Sequence, residues 1–227
     1  MAITAETRQD IMELAVAANN AAPGTTLLSD LVAMSTSGKS LLEIADSLAS
    51  SASFVATYPT FQTATEFATE FLGNLVPEAS ADAVAEGVTI IEGMLAAGDS
   101  RGKVILEAAT YLAALDESNA SFGTSAALFN HRVEVATYHT ITSEAAASWD
   151  IPASVTSSDD SVATGKSAVD TALAPAAATP DAAQNLVLTT NTDYLTGGDA
   201  DDSITGSNTT FNSDDTIIGG AGSDTLS

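Results

Sequence analysis

The feature that most constrains this chain is a nine-residue phrase that recurs at its C-terminal end, Gly-Gly-x-Gly-x-Asp-x-U-x, where U is a large apolar residue. Residues Gly219 to Ser227, GGAGSDTLS, match it at every defined position. Residues 197 to 205, GGDADDSIT, match it except that Ala200 stands for the third glycine. Just upstream, TDYLT supplies the second half of another unit, with Asp193 and Leu195. TFNSDDTII supplies Asp215 and Ile217 in phase with Gly219, after a four-residue insertion, GSNT, at 206 to 209. Four units therefore share one phase apart from that insertion, a regularity that a merely Gly- and Asp-rich tail would not keep.

The spacing has a physical reason. Glycine lets the backbone turn sharply at the end of a short strand and aim its carbonyl oxygens inward. Calcium takes six to eight oxygen ligands, so a carboxylate at the sixth position can complete a shell begun by carbonyls of a neighbouring coil. The residues expected to contribute are Asp193, Gly197, Gly198, Asp199, Asp201, Asp202, Asp215, Gly219, Gly220, Gly222 and Asp224. Two positions after the motif aspartates, Leu195, Ile204, Ile217 and Leu226 should point into a parallel β-roll and fill its thin core. Seven aspartates and no basic residue lie between 193 and 227, so metal binding and folding should be coupled.

Composition agrees with a cation-seeking surface. Thirty acidic residues stand against six basic ones, giving a formal charge of -24, which repels phosphate backbones and argues against nucleic acid as a partner. There is no cysteine, so no thiolate can serve as a ligand and any metal is expected to be bound by oxygen. The N-terminus, MAITAETRQD, has no basic segment followed by an apolar run, and no stretch approaches the length of a membrane span. An extracellular protein of this kind needs an export route without an N-terminal signal peptide.

Upstream of the repeats the pattern is helical. Ile11, Leu14, Ala15 and Ala18 follow a helical stripe within a run from Ala5 to about Ala22, ended by Pro23-Gly24. A second helix is expected from Leu27 to Met34. Ser40 with Glu43 and Thr63 with Glu66 are capping boxes that open two more. Further helices read from Ser80 to Ala97, from about Arg101 to Leu115 and from about Ser125 to His139. Residues 35 to 48 and 95 to 108 share a layout at an offset of 60, with Met34 matching Met94, which suggests duplicated helical hairpins.

After Trp149 the chain turns rich in Ala, Ser and Thr, with prolines at 152, 175 and 180. The predicted organisation is a helical domain over 1–148, a connector over 149–185 with one helix near Ser161 to Leu173, and the start of the roll over 186–227, opened by the strand signal LVLTT. The fold class is α + β: all-α first, parallel β-roll after. Because the chain stops on a repeat and four units bury little, it is expected to be the N-terminal piece of a longer protein.

No catalytic constellation is visible: no nucleophile elbow, phosphate loop or HExxH. His131 and His139 lie eight apart, too far for the i, i+4 zinc arrangement, and are read as structural or surface residues. Asp159-Asp160 is read as a helix cap. Phe54, Phe61, Phe67, Phe71, Phe122 and Phe129 are read as core.

The stretches LVLTTNTDYLTGGDADDSITG and DDTIIGGAGSDTL resemble the start of the calcium-binding repeats in bacterial surface-layer and related exported proteins with repeats-in-toxin segments. AAGDSRGKVILEAATYLAAL and FNHRVEVATYHTI resemble the helical repeat that precedes them in such proteins, and the likeness covers most of 40–145 and 186–227. NLVPEASADAVAEGVTII departs from that repeat, lacking its Trp and Arg-Pro-Asp elements. The resemblance implies type I secretion through a C-terminal signal, folding on contact with external calcium, and self-association into a lattice or filament. It also implies a cell-surface location on the outer face of a Gram-negative outer membrane, with the helical domain anchoring to lipopolysaccharide or another surface glycan. A structural, non-enzymatic protein is the leading expectation. A secreted adhesin or extracellular-matrix protein binding another cell or glycan is the alternative.

Overall fold

The computed structural model describes residues 3–174 and 183–227, in two compact units, Met1–Leu173 and Ala174–Ser227. In the first, helices begin where a hydroxyl can accept a backbone N–H that has no partner within the helix. Thr4 opens α1 (Ala5–Asn19), Ser40 opens α3 (Leu41–Ala49), Ser51 opens α4 (Ala52–Thr57) and Thr63 opens α5 (Ala64–Leu75). Ser80 and Ser100 do the same for α6 (Ala81–Ala96) and α7 (Arg101–Ala114). Both expected capping boxes are formed. In the first, hydrogen bonds from Lys39 and from Ser40 hold the Glu43 carboxyl down at about 2.

Two further helices, α2 (Gly24–Thr36) and α8 (Gly123–Thr137), lie against α1, and α8 runs into a single π turn, Tyr138–Thr142. The sequence predicts one buried stripe on α1. The helix in fact buries Met12, Val16 and Ala17 as well, because α2, α3, α7 and α8 surround it. The core is partly aromatic: Phe54 lies 4.7 Å from Tyr58, and Phe67 stacks on Phe71 at 5.5 Å. Arg101 covers this cluster, 4.3 Å above the Phe67 ring, and donates to the Tyr58 carbonyl at 2.7 Å.

Two of the six phenylalanines read as core are not buried. Phe61 is 87% exposed because it sits in the turn between α4 and α5, out of phase with either helix. Phe122 is half-buried, edge-on to Tyr111. The first unit is also not purely helical. A two-residue antiparallel pair, β1 (Ala21–Ala22) with β2 (Trp149–Asp150), brings the chain after the π turn back beside α1. The connector read from composition begins inside this unit, since α9 (Asp160–Leu173), with Asp160 in its first turn, lies against α8. Residues 175–182 of that connector lie outside the described residues.

The two hairpins at an offset of 60 end and restart in the same way. Lys39 N donates to Met34 O at 3.1 Å, and Asp99 N to Met94 O at 3.0 Å, with Gly38 and Gly98 at φ of 93° and 91°. Each turn thus closes with the double hydrogen bond that caps helices through a left-handed residue. Each next helix carries an i, i+4 ion pair with the charges exchanged: Lys39 with Glu43 at 2.6 Å, and Asp99 with Lys103 at 3.0 Å. Helix α7 lies close on α3 at Gly102, where any added Cβ would meet the Asp46 backbone.

In the second unit the strands are short and parallel: β3 (Asn185–Val187), β4 (Tyr194–Thr196), β5 (Ser203–Thr205), β6 (Thr216–Ile218) and β7 (Thr225–Leu226). They form two small sheets, ordered β3-β5-β7 and β4-β6, so successive strands alternate between sheets. Leu186 is in register with Ile204, Ile204 with Leu226, and Leu195 with Ile217. Helices and strands together make this a mixed α/β chain.

Candidate functional site

The motif aspartates come together as two ladders along the edges of the parallel sheets. On one edge, Gln184 N donates to Asp202 Oδ1 at 2.7 Å and Asp202 N to Asp224 Oδ1 at 3.0 Å. On the other, Asp193 N donates to Asp215 Oδ1 at 2.9 Å. Each carboxylate therefore reaches back to the main chain of the preceding coil. The second oxygen closes the residue's own turn: Asp202 Oδ2 accepts from Gly198 N at 2.7 Å, Asp193 Oδ2 from Thr189 N at 2.6 Å, and Asp215 Oδ2 from Asn212 N at 2.9 Å. These are charge-assisted bonds, stronger than neutral ones. Asp202, only 2% exposed, is the most enclosed of the set.

The glycines fit because the turns stack almost in contact. A Cβ on Gly197 would collide with the Gly219 carbonyl oxygen and with Asp202 Oδ2, and one on Gly219 with Asp224 Oδ2. Gly220 and Gly222 have φ of 106° and 97°, the left-handed region that other residues avoid. The stacked turn above them differs. Neither Gly198 nor Ala200 has a positive φ, so the turn in which Ala200 stands for the third glycine also departs in its backbone. Of the remaining predicted ligands, Asp201 Oδ1 accepts from Ser223 N at 2.8 Å, and Asp199 stands exposed outside both ladders.

The donor set at the turns consists of carboxylate and main-chain carbonyl oxygens, with the Gly198, Ala200 and Gly219 carbonyls facing the neighbouring coil. That chemistry fits a hard cation such as calcium. Among the described residues no three His, Cys, Asp or Glu side chains converge, so a cation here would draw on main-chain oxygens as well.

The apolar positions behind the ladders are only partly covered. Ile204 and Leu188 are buried, Leu186, Leu195 and Ile217 are half-buried, and Leu226, expected inside, is 53% exposed. One unit escaped the sequence reading. Gln184 and Leu186 stand nine residues before Asp193 and Leu195 and occupy the same places in the coil, with an amide where the motif has a carboxylate. A search for the apolar residue alone, without the aspartate, finds it.

The histidines of the helical unit lie in separate surroundings. His131 contacts the Thr156 carbonyl at 2.9 Å and Asp159 at 3.4 Å. His139 stacks on Trp149 at 5.5 Å, and burial lowers its pKa. Among the described residues, no helix is long and apolar enough to cross a membrane. Compared with protein-family models, curated proteins and solved structures, the chain gives no match.

Proposed function

We propose that this is a structural protein of a bacterial cell surface, in which 183–227 opens a calcium-stabilised parallel β-roll and the helical unit anchors or assembles it. The reading is of a surface-layer-like protein with repeats-in-toxin coils. It is exported to the outer face of a Gram-negative outer membrane, where it self-associates and contacts lipopolysaccharide. One observation carries it: three of the four motif aspartates, Asp202, Asp215 and Asp224, recurring in register across parallel strands, accept from the main chain of the coil before. That is a repeating architecture, suited to extension and assembly.

Asp193 and Asp215 on one edge and Asp202 and Asp224 on the other, with the carbonyls of the glycine turns, would hold the cation. Calcium when bound supplies the positive charge that seven unpaired aspartates lack. The chain's own residues align the strands, close each turn and keep the Asp202 carboxylate away from water.

The test is a calcium titration of the full chain followed by circular dichroism and light scattering, with and without purified lipopolysaccharide. Calcium-dependent gain of β signal, with binding to lipopolysaccharide or growth of assemblies, is the expected result. A chain that gains no β signal, or that neither binds nor assembles, overturns the proposal.

A further inference from the structure

The hairpin of α6 and α7 is splayed. Helix α6 leans on α5, while α7 faces α1, α3 and α8, and the two walls diverge from the turn at Gly98. Between them lies a groove of about 600 Å3, within the range of small-molecule sites. Its floor is apolar, built from Leu75, Ile91, Met94, Val104, Ala108 and Leu112. Ile90 and Tyr111 stand at its mouth 56% and 51% exposed, and Tyr111 meets Phe122 edge-on at 5.9 Å.

The rim carries a definite charge. Glu86 on one wall, Asp99 at the turn and Glu107 on the other wall face a single ammonium, Lys103, which is paired with Asp99 at 3.0 Å. An anionic headgroup would meet net repulsion here. What complements an apolar floor and carboxylates in excess over their single ammonium is a molecule with an apolar body and a positive end.

We propose that this groove binds an amphipathic cation, its apolar chain seated on the floor and its ammonium or guanidinium group held between Glu86 and Glu107. The site is independent of the calcium roll.

Three probes with one chain and different heads decide it: dodecyltrimethylammonium, dodecyl maltoside and dodecyl sulfate, each titrated below micelle formation into the full chain with calcium. Calorimetry should give saturable binding of the cationic probe, about tenfold tighter than the neutral one, and none of the anionic one. The exposed pair E86Q/E107Q should cut that advantage to about twofold without changing binding of the maltoside. Ala108→Trp, which fills the floor, should abolish saturable binding of every probe while the helical signal is kept. Equal binding of cationic and neutral probes overturns the proposal. So does a cationic advantage untouched in E86Q/E107Q, which would assign it to the overall charge; that arm decides the matter even if Ala108→Trp fails to fold.

Discussion

The helical unit and the strand unit hold themselves together by different means. In the first, side chains do the work: Ile11, Leu14, Phe54, Phe67, Phe71 and Phe129 are fully buried, and polar groups close helix ends. In the second, only Leu188 and Ile204 are buried among the described apolar residues, and order comes from strand pairing and from carboxylates bonded to amides. Apolar burial at about 25 cal/mol per Å2 favours the first without any ligand. The second concentrates like charge and has little core to offset it. Under the proposed function, one unit folds by its sequence and the other on a condition that its surroundings supply.

Removing calcium with a chelator should divide the units most sharply. Hydrogen exchange followed by mass spectrometry should show the amides of Asp202 and Thr225 losing protection by about two orders of magnitude or more, while those of α1 and α8 are unchanged. Protection of the strands in chelator would mean that their folding does not depend on the ion. The reverse perturbation is Phe67→Ala, which opens a cavity beside Phe71 and under Arg101. It should destabilise the helical unit by about 3–5 kcal/mol in denaturant titrations and leave the calcium midpoint of the β signal alone.

Within the strand unit, Asp202→Asn should raise that midpoint about tenfold, because an NH2 replaces one of two oxygens that each accept an amide N–H. Asp199→Asn, outside the ladders, should change it by about twofold at most. Ala200→Gly should lower it by about two- to threefold, since it frees that turn to adopt the backbone of the turn at Gly222. The smallest effect belongs to the helical unit. Burial holds His139 below its ordinary value of 6.5, so as pH falls through about 6.5 the unfolded chain takes up a proton that the folded one refuses. Stability should therefore decline on acidification below that point, and His139→Gln should flatten the decline in thermal melts.

Much of this was legible. Periodicity placed the long helices, and Ser40, Glu43, Thr63 and Glu66 marked helix starts to the residue because capping is local chemistry. The hairpin offset was visible in Met34 and Met94, although the exchanged ion pairs needed coordinates. Phe61 and Phe122 were misread because composition cannot tell an aromatic in a turn from one on a buried face. The pair of Ala21–Ala22 with Trp149–Asp150 left no local trace, since two residues with no alternation carry no strand signal. In the strand unit the phase of Asp and apolar residue was read directly. Which carboxylate bonds which amide depends on how coils stack, and that put Gln184 into the ladder unannounced.

The insertion at 206–209 has a further consequence. Ser207, Thr209 and Thr210 tie those residues into a turn of their own, with Thr210 N donating to Ser207 O at 3.0 Å. On either side, Ile204 still meets Leu226 and Leu195 still meets Ile217. The corner has absorbed extra chain without moving a strand. Since doubling a flexible loop costs only about 0.6 kcal/mol in closure entropy, this corner is a ledge on which much longer sequences can be displayed. Variation there would change what the outside world touches while the coils beneath stay in step.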